Sequence, residues 1–375
     1  MPHERHGSGN EDHDGPPVAD HGPPRVRRSR RKPRKKVLRY VAWGALGAVV
    51  AGGGGVAYAW HHLDGNIRGT DVDAALGHDR PAQQRDGSMN ILLLGSDSRA
   101  GTHGQYGRGV SGARADTAMV LHVDKTHKKA SVVSIPRDTM VERPQCAQPH
   151  GGTAPGARQA MFNSSYQVGG PACTVKTVEK MSGVRMDHYL EVDFKGFQKL
   201  IDELGGVDIT TRRAIHDHNS GLSLTAGKHT LKGKQALALV RTRHGVGDGS
   251  DLGRIQLQQA FVKALIHRAE TLDPLSDPTK SYSLADTATK TISADSDLAS
   301  ADKLLGLAEE LRGISPEHMD MVTMPVTYDP RDPGRVEPLE KASKQVWSAL
   351  RQDRAIPESA TDGSVGDRTD SPVSA

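Results

Sequence analysis

Between Asn90 and Asp138 three short apolar runs follow one another, and each carries charge at one end. Ile91–Leu94 reads as a buried strand that stops at Gly95-Ser96-Asp97-Ser98-Arg99. Thr117–Val123 alternates as a second strand, entered through Arg114-Ala115-Asp116. Ser131–Ile135 is a third, closed by Pro136-Arg137-Asp138. Such β-branched runs, punctuated by Gly, Pro and Asp, are strand signals. Strands this close in sequence commit the region to a sheet. The carboxylates of Asp97, Asp116 and Asp138 and the guanidinia of Arg99, Arg114 and Arg137 then sit at strand ends, where α/β folds build their sites. A solvated loop tip accounts for one charged end and accounts poorly for three in succession.

The residues after Asp138 alternate helix and strand signals, which makes the fold class α/β, a mixed sheet flanked by helices. Thr174–Met181 reads as a helix ended by Gly183, and Asp187–Val192 as a strand. Asp193 then caps an amphipathic helix. Phe197, Leu200, Ile201 and Leu204 follow the i, i+3, i+4, i+7 rule, with Phe194 one turn earlier, and Gly205-Gly206 stops it. Val207–Thr210 is a further short strand. Asp302–Leu311 and Pro338–Leu350 read as helices, the first capped by Asp302 and the second begun at Pro338, with a strand Met321–Val326 between them. One domain is therefore expected over residues 89–352, followed by a polar, disordered tail over 353–375.

The charge is unevenly spread. Residues 1–39 hold eleven Lys/Arg against five Asp/Glu, which leaves 38 against 40 in the rest of the chain. A nucleic-acid-binding fold carries its basic excess in the folded part; this chain does not, so no nucleic-acid partner is expected. The first 24 residues are rich in His, Gly and Pro without period and read as disordered. Arg25–Lys36 has nine Lys/Arg in twelve residues, and Tyr40–Trp60 then runs for 21 residues without a charge. That length suits a bilayer-crossing helix, with Tyr40, Trp43, Tyr58 and Trp60 as interfacial anchors. The positive-inside rule puts residues 1–39 in the cytoplasm and everything after Trp60 outside. Gly52–Gly55 weakens the helix. A cleaved signal peptide is the rival, because Ala57-Tyr58-Ala59 has the small-x-small form and Ser29-Arg30-Arg31 hints at a twin-arginine signal; its n-region would be unusually long. Residues 61–88, polar with scattered Gly and Pro, read as a stalk between membrane and domain, with one weak helical turn.

Both cysteines, Cys146 and Cys173, lie beyond the apolar span. An oxidising exterior favours a disulfide over two free thiols. The bridge would staple a Gly-, Ala- and Pro-rich segment and contribute on the order of 3 kcal/mol.

A second charged cluster lies further on. Lys234–Val240 has helical composition and ends in Arg241-Thr242-Arg243-His244. In extended backbone Arg241 and Arg243 point to one side. Ser250-Asp251 reads as the cap of a long helix on which Arg254 and Gln258 share a face and Leu252, Ile255, Val262, Leu265 and Ile266 supply the buried side. Gathered arginines suit a polyphosphate, because the guanidinium fork binds phosphate oxygens bidentately; the alternative is pairing with the acidic residues of the strand ends. His216-Asp217-His218 lacks a third ligand nearby and reads as an exposed loop.

Taken together and in order, GSDSR, RADT, SIPRD, DHYLEVDFKGF with LGGVD, VRTRH and DLGRIQLQQ resemble the LytR–CpsA–Psr family over about Met89 to Arg268. The resemblance implies a membrane-anchored, extracytoplasmic Mg²⁺-dependent phosphotransferase. Such an enzyme moves a glycopolymer (teichoic-acid-, capsule- or arabinogalactan-like) from a polyprenyl-pyrophosphate carrier to peptidoglycan. It implies that Asp97 and Asp116 hold Mg²⁺, or Mn²⁺, on the pyrophosphate. It also implies that Arg137, Arg241, Arg243, Arg254 and Gln258 hold the phosphates, with Arg99 and Arg114 added from the first cluster. Asp97, Arg137 and Asp251 are the candidate catalytic residues, Asp97 or Asp251 taking the acceptor's proton. Met161 stands where the family often has Lys, with Arg158 as the substitute, and Leu257 where it often has Arg.

The residue types agree with this chemistry. Hard oxygen ligands select Mg²⁺ or Mn²⁺, and arginines neutralise charge on a leaving phosphate. The expected partners are a polyprenyl-pyrophosphate-linked glycan, peptidoglycan and the membrane. A hydrolase that cleaves the same carrier with water, and a non-enzymatic lipid-binding or regulatory membrane protein, are the competing readings; the lack of a basic excess outside the tail weighs against action on DNA.

Overall fold

The computed structural model describes residues 54–55, 57–84, 86–96, 115–149, 151–244, 246, 251–272, 276–366 and 371–374. The chain divides into two units, Met1–Val56 and Ala57–Ala375, and the sheet and cores belong to the second. Most of Tyr40–Trp60 lies outside the described residues. No helix among the described residues is long and apolar enough to cross a membrane.

Seven strands form the central sheet. In chain order they are β1 (Arg68–Thr70), β2 (Met89–Ser96), β3 (Ala115–Val123), β4 (Ala130–Ser134), β5 (His188–Asp193), β6 (Ile292–Asp295) and β7 (Met319–Thr323). Their spatial order is β1-β6-β5-β2-β3-β4-β7. β2 runs parallel to β5 and antiparallel to β3, and β4 runs antiparallel to β3 and parallel to β7. The sheet is therefore mixed. This topology gathers the last residues of β2, β4 and β5 and the first of β3 at one edge.

Alternation along these strands separates two cores. Leu92, Leu94, Val120 and Val133 face one way, towards Val175, Val178, Val346 and Trp347. Ile91, Met119, Leu121 and Val132 face the other, towards Leu298, Leu307 and Ile314. Both sides are covered, so β4 is buried at every position. The helices that cover them are α1 (Ser164–Ser182), α6 (Ala301–Leu311) and α7 (Glu340–Arg351). A third core lies between α2 (Phe194–Glu203), α3 (Gly233–Arg241), α4 (Asp251–Glu270) and a small sheet of Val207–Thr211, Gly227–Leu231 and Val373–Ser374. α5 (Pro278–Thr291) leads into β6. α4 contributes to all three cores through Ile255, Leu257 and Ile266. That is why Arg254, Gln256, Leu257 and Gln258 are buried along with its apolar residues, where the spacing alone predicted a single buried stripe.

Several expectations change. Residues 61–88 are not a free stalk: residues 57–66 are helical, Arg68–Thr70 pairs with Ser293–Asp295, and Leu63, Val72 and Leu76 are buried. The tail over 353–375 is partly folded, because Val373 is buried and pairs with Thr211. The Thr174–Met181 helix is the second half of α1, which is interrupted by non-helical backbone at Gly169 and Gly170 before Pro171. Ser300, not Asp302, caps α6. Pro338 ends a strand, Asp332–Pro338, and α7 begins after Leu339. The single strand Met321–Val326 is two, β7 and Val326–Asp329, the second turning away to form a hairpin.

Cys146 and Cys173 form the expected disulfide, their Cα atoms 5.4 Å apart. Gly169 lets the two halves approach: a Cβ there would lie 2.7 Å from the Ala147 carbonyl oxygen and 2.7 Å from the Cys173 Cβ.

Candidate functional site

The charged strand ends meet at the sheet edge formed by β2, β3, β4 and β5. Asp116 is the extra residue of a β-bulge: Gly95 pairs with Thr117 and Ser96 with Ala115, which leaves Asp116 without a cross-strand partner. Such bulges redirect a side chain. Its Oδ1 accepts from Arg137 Nη1 at 2.6 Å. Arg137 stands just past β4, with Asn163 N–H on its carbonyl at 3.0 Å and its Nε 3.4 Å from Asp138 Oδ2.

The second cluster closes over the first. Asp251, the first residue of α4, offers Oδ1 to three guanidinia: Arg254 at 2.5 Å, Arg243 at 3.2 Å and Arg137 at 3.5 Å. Arg254 Nη2 also donates to the Asp116 carbonyl at 2.9 Å. Gln258, one turn on, donates to Thr117 Oγ1 and to the Val240 carbonyl at 2.9 and 3.0 Å. The shared face of Arg254 and Gln258 is thus tied to the first residues of β3. Arg241, the last residue of α3, lies over the Phe194 ring, 5.1 Å from its centroid. It meets no carboxylate among the described residues.

Asp116, Thr117, Arg137, Phe194, Val240, Arg241, Arg243, Arg254 and Gln258 line one cavity of about 200 Å³. Six of the residues expected to act together therefore converge, although they are drawn from β3, the end of β4, α3 and α4. Asp97, Arg99 and Arg114 lie outside the described residues. Arg158 is not part of the cavity; it stands at the far end of a hairpin. Met161 ends that hairpin's second strand, opposite Met140.

Among the described residues, the four guanidinia of Arg137, Arg241, Arg243 and Arg254 stand with three carboxylates, Asp116, Asp138 and Asp251. Burial pushes the Asp251 carboxyl above its ordinary range; Asp138 adds to the push, while Arg254, Arg243 and Arg137 oppose it. Burial pulls the Arg254 guanidinium below its ordinary value, Asp251 opposing and Arg243 and Arg137 adding. Both partners of a 2.5 Å ion pair are thus driven towards neutrality: desolvation outweighs their attraction. For Arg137, burial alone would lower the guanidinium, but Asp138, Asp251 and Asp116 outweigh it and hold it raised. Asp251 Oδ2 and Arg254 Nε are buried without a hydrogen-bond partner among the described residues. Buried polar atoms are ordinarily satisfied, so these two mark where a ligand would complete the site.

Two supporting groups were not legible in the sequence. Asp217 is 2% exposed, and its Oδ2 accepts from the backbone N–H groups of Arg243 at 2.9 Å and His244 at 3.2 Å. Its Oδ1 holds Asn219 N–H at 2.9 Å, and Ser220 Oγ meets the buried Thr242 hydroxyl at 2.8 Å. Asp217 therefore fixes the loop that carries Arg243. His216, the neighbouring residue of metal-ligand type, is exposed in a hairpin. The other group is Glu191, buried on β5, which accepts from Tyr166 Oη at 2.6 Å and from Ser96 Oγ just before Asp97. The only available signal was a carboxylate between Leu190 and Val192 within the strand.

Among the described residues no group of three or more His, Cys, Asp or Glu could hold a metal ion. Asp116 fits the lesser demand of a phosphate-bound Mg²⁺, which takes one or two carboxylates and its remaining oxygens from substrate and water. Its Oδ1 is engaged by Arg137, and its side chain is 19% exposed at the cavity wall.

A family model described as the LytR_cpsA_psr family matches residues 60–352, which agrees with the folded start found for residues 61–88. The cell wall biosynthesis protein LcpA of Corynebacterium glutamicum is 30% identical over 267 residues, 64% of this chain and 51% of LcpA, so the match spans about half of that relative. The polyisoprenyl-teichoic acid–peptidoglycan teichoic acid transferase TagT of Bacillus subtilis is 31% identical over 260 residues, 66% of this chain and 75% of TagT. Among solved structures, a LytR-Csp2A-Psr enzyme from Actinomyces oris superimposes with a TM-score of 0.57 at 22% identity, covering 76% of this chain and 96% of that one, a likeness of fold.

Proposed function

The chain belongs to the LytR–CpsA–Psr family, and from that premise we propose that it is a phosphotransferase of cell wall assembly. Its donor is a glycopolymer on a polyprenyl pyrophosphate, and its acceptor is a hydroxyl of peptidoglycan. The observation that carries the reading is the convergence of Arg137, Arg241, Arg243, Arg254 and Gln258 on one small cavity, three of these arginines sharing the carboxylate of Asp251 beside it. TagT, whose name describes this kind of transfer, supports it.

In the proposed reaction the acceptor hydroxyl oxygen attacks the phosphorus that bears the glycan. The bond from that phosphorus to the bridging oxygen breaks, polyprenyl phosphate leaves with the bond's electrons, and the acceptor's proton goes to a carboxylate. Guanidinium forks hold the two phosphates in line and balance charge that builds on the bridge. Arg243 and Arg254 would turn from Asp251 to the phosphates. Asp251, its carboxyl held above the ordinary range by burial, is then suited to take the proton on Oδ2. Asp116, together with Asp97, would hold Mg²⁺ on the pyrophosphate. When bound, the ion neutralises phosphate charge. Residues 40–60 would anchor the domain outside the membrane, beside its lipid-linked donor.

The test is incubation of the purified chain with a polyprenyl-pyrophosphate glycan, Mg²⁺ and peptidoglycan oligomers. Glycan joined covalently to peptidoglycan is the expected product. Free glycan phosphate would make the protein a hydrolase, and lipid retained without either product would make it a binder.

A further inference from the structure

A second, larger cavity of about 580 Å³ lies away from the arginine clamp and takes no part in the proposed transfer chemistry. Its walls come from two sources. One is the hairpin of Met140–Arg143 with Ala157–Met161, extended by Pro144 and Gln145 just before the disulfide. The other is α1 with residues 79–81. The disulfide holds these together, since Cys146 follows the hairpin's first strand and Cys173 lies on α1.

The charges in this cavity divide into a spent set and a free set. Arg80, its side chain 6% exposed, is spent: its guanidinium lies 2.7 Å from Glu179 Oε1 and donates to the Met186 carbonyl at 2.8 Å. Lys180 and Glu142 are only 3.9 Å apart, a loose and exposed pair. Arg158 and Lys176 make no ion pair among the described residues. Arg143 gives one nitrogen to the Pro155 carbonyl at 2.8 Å and leaves Nε buried without a partner among the described residues. Asp79, which lines the same cavity, is likewise unpaired among the described residues. The cavity therefore keeps three cationic groups without a carboxylate partner among the described residues, beside a free and a loosely held carboxylate. A site for a polyanion would exclude those carboxylates. Fixed charges of both signs match a ligand that carries both.

The hairpin also links this cavity to the clamp. The residues just past its near end hold the Arg137 segment, through Asn163 N–H on the Arg137 carbonyl at 3.0 Å and Phe162 N–H on the Thr139 carbonyl at 2.8 Å. Its far end, Arg143 opposite Ala157, is part of the second cavity. Four residue steps of strand separate the ends, roughly 13 Å at about 3.3 Å per residue.

Resting on the transferase reading, we infer that this cavity binds the peptide of the peptidoglycan acceptor, a ligand that carries both carboxylates and a free amine, while its glycan reaches the clamp. Arg143, Arg158 and Lys176 take the carboxylates, and Asp79 and Glu142 take the amine. The cavity is an acceptor subsite, and the residues in it are positioning residues.

Calorimetry on the purified full chain tests this, with a soluble muramyl peptide as one probe and inorganic pyrophosphate as the other. Arg158→Glu combined with Lys176→Glu weakens the muramyl peptide at least about tenfold, the scale of a lost charge-assisted hydrogen bond, and leaves pyrophosphate unchanged. Arg158→Gln with Lys176→Gln gives the same order with a smaller loss and guards against misfolding of the reversal. Amidating the probe's carboxylates reproduces the defect in the wild type. Failure of the peptide to bind, equal binding by all the variants, or a linear oligophosphate held here in preference to the peptide would each overturn the assignment. Absence of transfer by the wild type is read separately and bears on the transferase reading alone.

Discussion

Replacing Asp251 with asparagine removes a carboxylate that Arg137, Arg243 and Arg254 share and keeps the shape. Its side chain is 10% exposed, and its Oδ1 lies 2.5, 3.2 and 3.5 Å from the guanidinia of Arg254, Arg243 and Arg137. At an effective dielectric of about 20, a pair of unit charges about 4 Å apart interacts by roughly 4 kcal/mol. Desolvation offsets much of that sum, and breaking a buried ion pair from one side costs about 3–5 kcal/mol. Asp251→Asn is therefore expected to lower unfolding stability by about that amount in urea, without ligand. Pyrophosphate supplies the missing negative charge, so the variant binds it more tightly than the wild type. At a hundredfold excess over its dissociation constant, a ligand adds about 2.7 kcal/mol of stability. Each tenfold gain in affinity closes the gap between the two proteins by about a further 1.4 kcal/mol. The assay is urea unfolding of both proteins with and without pyrophosphate, and the transfer reaction run on the same samples. Transfer falls in the variant even where binding improves, because the proton acceptor is gone. If the variant is as stable as the wild type without ligand, the three contacts are not a buried network. If pyrophosphate leaves the gap unchanged, it does not take over the arginines from Asp251, and the reasoning fails.

Other expectations test the supports of the site. Asp217→Ala strands the N–H groups of Arg243 and His244 and should cost about 2–4 kcal/mol; its loss of pyrophosphate affinity should not add to that of Arg243→Ala, and full additivity would separate Asp217 from the clamp. Gly233→Ala would place a Cβ 2.2 Å from the Gln198 carbonyl oxygen, a backbone atom, so α3 must shift; a loss of about 1–3 kcal/mol with weakened pyrophosphate binding is expected, and a neutral result would refute the close contact. Reducing the Cys146–Cys173 bridge, which spans 27 residues, should lower stability by about 3–4 kcal/mol and loosen the second cavity more than the clamp, measured by hydrogen exchange. Burial alone would lower the His188 imidazole, but its hydrogen bond to Asp295 and the charges of Asp295, Asp187 and Asp297 together outweigh this and hold it above 6.5. Its stabilising contribution is complete below pH 6.5 and fades as pH rises through the raised value. His188→Gln should flatten the stability profile above pH 6.5, and an unchanged slope would remove this pair from the account.

Some of this protein could be read directly from local sequence, because period and punctuation are local properties. Leu92, Val120 and Val133 declare strands by β-branched alternation, and Asp193 declares the start of α2 by its position before an apolar 3.6-residue period. Residue types also pointed to a chemistry: Arg137, Arg241, Arg243 and Arg254 suit phosphate oxygens, and the same forks take carboxylates, here Asp116 and Asp251. The arrangement was not local. Asp116 points into the cavity because β2 and β3 fall one residue out of register, a fact of pairing between strands. Asp217 lies 26 residues before the amide it holds, and nothing in His216-Asp217-His218 distinguishes a buried acceptor from a solvated turn. Residues 61–88 and Val373 looked polar and idle because their few apolar side chains gain burial only against a sheet and helices made elsewhere. Hydrophobic pattern sets which elements form; the enclosure of charge, which raises Asp251 and leaves Arg254 Nε unmet among the described residues, depends on how three cores close around one helix, and only the folded chain decides that.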